Sequence, residues 1–163
     1  DGSGASVAAT GAAPQSAEHQ TASERTMSVL TQAVYDVMAE DGTLTDLLNT
    51  YGGEPAIFTT EPAPGDAAMP YIVSSGEVAQ EPWDTKTTSG RIATRDVRCY
   101  TAESGSADVV EAIAERVWDL FHRQTIDIDG WTVVIAECSG PVSADEQDAY
   151  GRIVTIRFTV QEE

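Results

Sequence analysis

The chain is short of bases. Its 163 residues carry nine of them, one lysine and eight arginines, against 27 acids, for a formal charge of −18. Nucleic-acid binders need clustered cations to displace counterions from phosphates, so this deficit argues against direct DNA binding. Cysteine is scarce too. Cys99 and Cys138 are the two present, with no CxxC spacing and no histidine beside either, which removes the usual zinc and dithiol signatures. Both lie in apolar, strand-like runs and read as small buried hydrophobes, free or joined to each other. The histidines, His19 and His122, are too isolated to suggest a metal site. No apolar run reaches the 18 residues of a membrane-crossing helix, and no charged-then-apolar leader opens the sequence.

What is present is a high apolar fraction, 41%, alongside that charge. Disordered acidic chains lack such apolar content. In molar salt the Debye length falls to about 3 Å, and carboxylates then repel one another weakly. A high-salt cytoplasm, that of a halophilic archaeon or its virus, suits this balance; an acidic protein at ordinary salt is the plainer alternative. The length fits one domain with a core that needs no disulfide or metal.

Residues 1–26 differ from the rest. They are rich in Ala, Ser, Thr and Gly, and Val7 is their only large aliphatic side chain. Such a segment buries too little apolar surface to order itself, so it reads as an extended arm held by its own domain or a neighbouring subunit. Residues 27–163 form the domain. In "MSVLTQAVYDVMAEDG", Val29, Leu30, Ala33, Val34, Val37 and Met38 make a helical stripe, capped by Ser28 or Thr26 and ended at Asp41-Gly42. A short helical piece follows with Leu44, Leu47 and Leu48, then a short strand at 56–59. Pro70 suits the first position of a strand from Tyr71 to Glu77, with Met69 already extended. Residues 79–90 read as a long polar loop and Arg91–Thr101 as the outgoing strand, together an extended hairpin arm. Val110, Ile113, Ala114, Val117 and Phe121 share one face of a helix capped by Ser106. Asp129-Gly130 predicts a tight turn between strands at Ile126–Ile128 and Trp131–Cys138. After a polar loop, Val154, Ile156, Phe158 and Val160 alternate inward along the last strand. The pattern predicts an α+β fold: an antiparallel sheet of about four to five strands with helices packed on one face.

No catalytic constellation is visible. Phosphate-binding glycine loops, GxSxG, HExxH and calcium loops are all missing, and the acids of "SADEQDAYG" lack the alternating ligand spacing of a calcium site. No cofactor is implied. Trp83 stands out, a large aromatic in a polar loop: it either anchors a partner or folds back on its own sheet. Lys86 and Arg91 are the nearest bases, and they either pair with acids of an adjacent subunit or are solvated.

The ordered set "GTLTDLL", "AIFTTEPAPGDAAMPYIVSS", "EPWDTKTTSGR", "RDVRCYTA", "ADVVEAIAERVWDLF" and "GRIVTIRFTV" resembles the tail-completion, or tail-terminator, family of long-tailed phages over about residues 27–161. The resemblance implies a structural, non-enzymatic virion subunit that forms a ring, usually a hexamer, in the tail and neck region. The ring caps the tail tube and joins it to a neck stopper or adaptor, and genomic DNA passes through the lumen without specific binding. No catalytic residues carry over. The resemblance places Trp83, Asp84, Thr85 and Lys86 at contacts, to which Arg91 and the arm's Val7 are added as interface candidates. The 26-residue arm departs from the family's usual start near Met27. Another neck subunit, or a secreted haloarchaeal surface-binding module, is the competing reading.

Overall fold

The computed structural model describes the backbone from residue 22 and side chains from residue 29; Val7 lies outside the described residues. The elements are α1 (Ala22–Glu40), α2 (Gly42–Thr45), β1 (Thr50–Tyr51), β2 (Glu54–Pro55), β3 (Ile57–Phe58), β4 (Tyr71–Val73), β5 (Glu77–Pro82), β6 (Gly90–Ala102), α3 (Asp108–Phe121), β7 (Trp131–Ser143) and β8 (Ala149–Glu162). The fold is α+β, as the pattern predicts, with one sheet larger than expected. Six strands run in the order β3-β4-β6-β8-β7, with β5 also on β6. All pairs are antiparallel except β3 with β4. β1 and β2 form a separate small hairpin around Gly52 and Gly53, both at positive φ.

Burial explains the layering. α3 packs across β6, β7 and β8, and α1 packs against α2, α3 and β3. Val110, Ile113, Ala114, Val117 and Phe121 of α3 are fully buried, as are Val154, Ile156 and Phe158 of β8. The Phe121 and Phe158 rings meet edge-on, 6.2 Å apart at 90°. Each such side chain contributes about 1.5–3 kcal/mol by leaving water. From α1, Leu30, Ala33, Val34 and Met38 join this core. Thr159 points away from the helices as expected, yet it is buried, because its register partners Ile92 and Ile135 flank it.

Several boundaries move. α1 begins at Ala22, inside the segment expected to be an arm, so Thr26 and Ser28 lie within the helix and not at its start. Ala, Glu and Arg are good helix formers, and a helix can continue past its apolar stripe. Asp41 ends α1 and also caps α2, accepting a hydrogen bond from Leu44 N–H at 2.8 Å. Ser106 falls one residue before the cap position of α3, where its hydroxyl accepts weakly from Asp108 N–H at 3.3 Å. Pro70 precedes its strand, which starts at Tyr71, and the Met69–Pro70 peptide is cis.

The predicted strand at 71–77 is broken at Ser74-Ser75-Gly76, and Gly76 has φ 125°. β4 and β5 therefore pair with successive halves of β6, Tyr71–Val73 against Arg98–Tyr100 and Glu77–Pro82 against Arg91–Arg95. Five of the twelve residues of the expected 79–90 loop are thus strand. Ile126–Ile128 is not a strand; Ile126 and Ile128 plug the core, and a single bridge joins Ile128 to Trp131 beside Gly130 at φ 78°. The polar residues 139–143 and 149–151 belong to strands, because an antiparallel ladder satisfies the backbone whatever the side chains.

The long edge strand β7 is partly covered. Arg123 N–H donates to the Ala136 carbonyl at 2.8 Å, and Cys138 N–H donates to His122 Nδ1 at 3.1 Å. His122 also stacks on Trp118 at 4.6 Å. The chain leaving α3 thus blocks the middle of this edge, a common guard against unwanted strand pairing.

Candidate assembly interface

The tip between β5 and β6 is short and internally bonded. Trp83 N–H donates to the Gly90 carbonyl at 2.9 Å and closes the ladder. Beyond it, Thr85 N–H donates to the Thr88 carbonyl at 2.8 Å, and the two threonine hydroxyls lie 2.6 Å apart. Asp84 Oδ1 accepts from Ser89 Oγ and Gly90 N–H, each at 3.1 Å. Ser89 in turn accepts from Glu162 N–H at 2.9 Å, tying the tip to the end of β8.

These bonds separate the candidate residues. Asp84 and Thr85 are occupied in building the turn. Trp83 is half-buried and its ring lies beside Gly90. Arg91 is half-buried in register between Pro82 and Val160. Lys86, exposed at the apex, makes no ion pair among the described residues.

Arg116 and Arg152 are each held by acids of their own chain. Arg116 is bound by both oxygens of Asp41, at 2.7 and 2.9 Å. That bonding holds the Asp41 carboxyl below its ordinary value. Arg152 lies 3.0 Å from Asp145 and 3.5 Å from Glu111. The Gly151 N–H, donating to Asp145 at 3.0 Å, is the main reason that this carboxyl also sits low. Tyr100 O–H donates to Glu146 at 3.2 Å. Two acids of "SADEQDAYG" therefore fasten the β7–β8 turn and its surroundings. Among the described residues no group of three or more His, Cys, Asp or Glu is placed to hold a metal. Cys99 and Cys138 are free and buried, and burial pushes each thiol up to about 12.

Arg95 is the residue that a reading of the pattern passes over. It occupies the inward phase of β6 with Ala93, Val97 and Cys99 and is completely buried. Its guanidinium lies 3.1 Å from Glu77, opposite it on β5, and bonds Thr31 of α1 at 3.2 Å and the Ser74 carbonyl at 3.3 Å. Burial raises the Glu77 carboxyl and lowers Arg95, in each case against the partner's attraction. A base in the inward phase of a strand was the available signal: it requires a buried acid. The pair joins α1, the β4–β5 break and the root of the hairpin.

The described surface thus offers an internally bonded projecting tip, strand edges and solvated acids, the form of an assembly subunit built on an α+β sheet. The family described as "Tail completion protein gp17" matches residues 32–161. The chain belongs to that family, and it is a structural protein of the virion's tail and neck region. No curated protein matches it. Among solved structures, a chain from the "Virion of native gene transfer agent (GTA) particle" has the same fold, with a TM-score of 0.68 and 22% identity over 81% of this chain and 94% of that one.

Proposed function

We propose that the protein is a tail terminator: a ring, six-fold in its simplest form, that caps the tail tube and offers a joining surface to a neck stopper or adaptor. The family match over residues 32–161 carries this reading. The sheet supports it, because β5 and β7 are edges on opposite sides of one subunit, and head-to-tail contacts between unlike surfaces close into rings. The interface would draw on Lys86 and its turn, with Trp83 and Arg91 supporting the turn from below, and on the arm that contains Val7. Residues 1–21, ahead of α1, would clamp a neighbour, so their removal leaves folding intact and weakens assembly.

The acidity fits a passage for DNA, which a negative lumen repels rather than binds. A hexamer multiplies the charge of −18 sixfold, and that repulsion requires strong screening. A haloarchaeal tailed virus, assembling in its host's salt-rich cytoplasm, is the setting this implies. The test is sizing by light scattering across a salt series. The ring holds at molar salt and dissociates near 0.1 M, where the Debye length is about 10 Å. An oligomer unchanged at low salt refutes the screening argument; a monomer at every salt refutes the ring. A twelve-fold particle would make the subunit an adaptor.

A further inference from the structure

A groove of about 300 Å³ lies between α3 and β7, lined by Glu115, Trp118, Asp119, Gly140 and Pro141. Its chemistry is specific. Glu115 and Asp119 are exposed carboxylates one helical turn apart, and the half-buried Trp118 and the exposed Pro141 are its apolar members. The only base on α3, Arg116, is held by Asp41, with Asp119 adding a weaker attraction. Two acids beside an indole, one face of which His122 covers, form a receptor for a cation, which gains charge pairing and contact with the rest of the ring.

Within one chain Lys86 cannot fill it. The tip leaves the sheet where Gly90 pairs with Gln161, whereas the groove borders Val142, which pairs with Ile153. Those points are separated by eight residues along β8, roughly 27 Å at ~3.4 Å per residue. They also belong to opposite edges, β5 on one side and β7 on the other. A base at one corner and its complement at the diagonal corner is the layout of a heterologous contact, which repeats around a ring. We propose that Lys86 of one copy inserts into the Glu115–Trp118–Asp119–Pro141 groove of the next copy. The contact presupposes the ring proposed above and names its seam. Among the described bases without an ion pair, Lys86 sits on a projecting apex; Arg91 is half-buried in the ladder, Arg157 is mid-strand, and the exposed Arg123 lies in the turn after α3, its backbone tied to β7 on the groove's own side of the sheet. A pair in direct contact lies near the ~3 Å screening length of molar salt, and the indole adds attraction beside it.

The test joins the two surfaces covalently. Lys86→Cys combined with Asp119→Cys, oxidised at molar salt, should give a ladder of disulfide-linked multimers up to the full ring, while either single variant gives none. The native thiols are buried and stay out of the exchange. In parallel, Lys86→Glu should raise the subunit concentration for half-assembly about tenfold, or ~1.4 kcal/mol, and Glu115→Lys in the same chain should restore it. Circular dichroism of the reduced proteins checks that each variant folds. A wild-type ring with neither ladder nor rescue overturns the groove contact and leaves the ring standing. A wild-type chain that never assembles overturns both.

Discussion

Glu77→Gln should be among the most damaging single-atom changes in the described core. The side chains of Arg95 and Glu77 are 0% and 2% exposed and 3.1 Å apart. Glu77 Oε2 and Arg95 Nε have no hydrogen-bond partner, so the pair is held by one close contact and by the bonds from Arg95 to Thr31 and Ser74. Burial dominates the titration of both groups, meaning that desolvation outweighs attraction. Removing one charge leaves the other buried and uncompensated, at a cost of about 3–5 kcal/mol. Removing both, as in Arg95→Met with Glu77→Gln, abolishes the uncompensated charge; the double variant should then lose less than the two singles added, by about 1–3 kcal/mol. Urea denaturation followed by tryptophan fluorescence reads this directly. With a slope near 2 kcal/mol per molar, the Glu77→Gln midpoint falls by about 2 M. Subunit concentration and salt must be constant, since assembly shifts apparent stability. A cost below about 1 kcal/mol for Glu77→Gln, or strict additivity, would refute the argument that the charges depend on each other.

Three further outcomes follow from the packing and electrostatics. A Cβ at Gly90 would overlap the Trp83 carbonyl and approach ring atom Cε3 to 2.7 Å and the Val160 carbonyl to 2.9 Å. Gly90→Ala should therefore cost about 1–3 kcal/mol and shift tryptophan emission to the red; an unchanged spectrum would mean that Trp83 does not rest there. Phe158→Ala should cost about 3–5 kcal/mol by denaturation, whereas Val78→Ala on the exposed β5 edge should stay within about 0.5 kcal/mol; similar costs would contradict the layering. Asp41 is held low chiefly by the Arg116 hydrogen bond, from an ordinary value of 3.8. Its stabilisation is complete above that value and is lost as pH falls through the depressed one. Thermal melts between about pH 2 and 6 should show a smaller acid-side loss in Asp41→Asn, which keeps the cap of α2; equal slopes in both proteins would rule out Asp41 as a source of the acid sensitivity.

Much of this fold was legible from periodicity. The stripe Val110-Ile113-Ala114-Val117-Phe121 and the alternation Val154-Ile156-Phe158-Val160 are both fully inward, because burial imposes the helix and strand periods directly on side-chain choice. Extents were less legible. "SGPV" and "EQDAYG" read as loop by composition, yet part of each lies in a ladder that pays no regard to side-chain polarity. The split of β4 from β5 left only Gly76 as a mark, and Trp83 could not be assigned to core or surface until Gly90 was seen beneath it.

The amino-acid sequence alone determined the α+β class, the acidic and lysine-poor surface, the lack of catalytic motifs and the resemblance to a tail-completion family. Each of these depends on local order or on summed composition. Tertiary structure alone decided that Arg95 is buried on Glu77, that the hairpin tip spends Asp84 and Thr85 on its own turn, and that Lys86 and the Trp118 groove stand at opposite corners of the sheet. Those facts depend on register between strands distant in the chain. One residue of slip would turn Arg95 outward and leave Glu77 without its base.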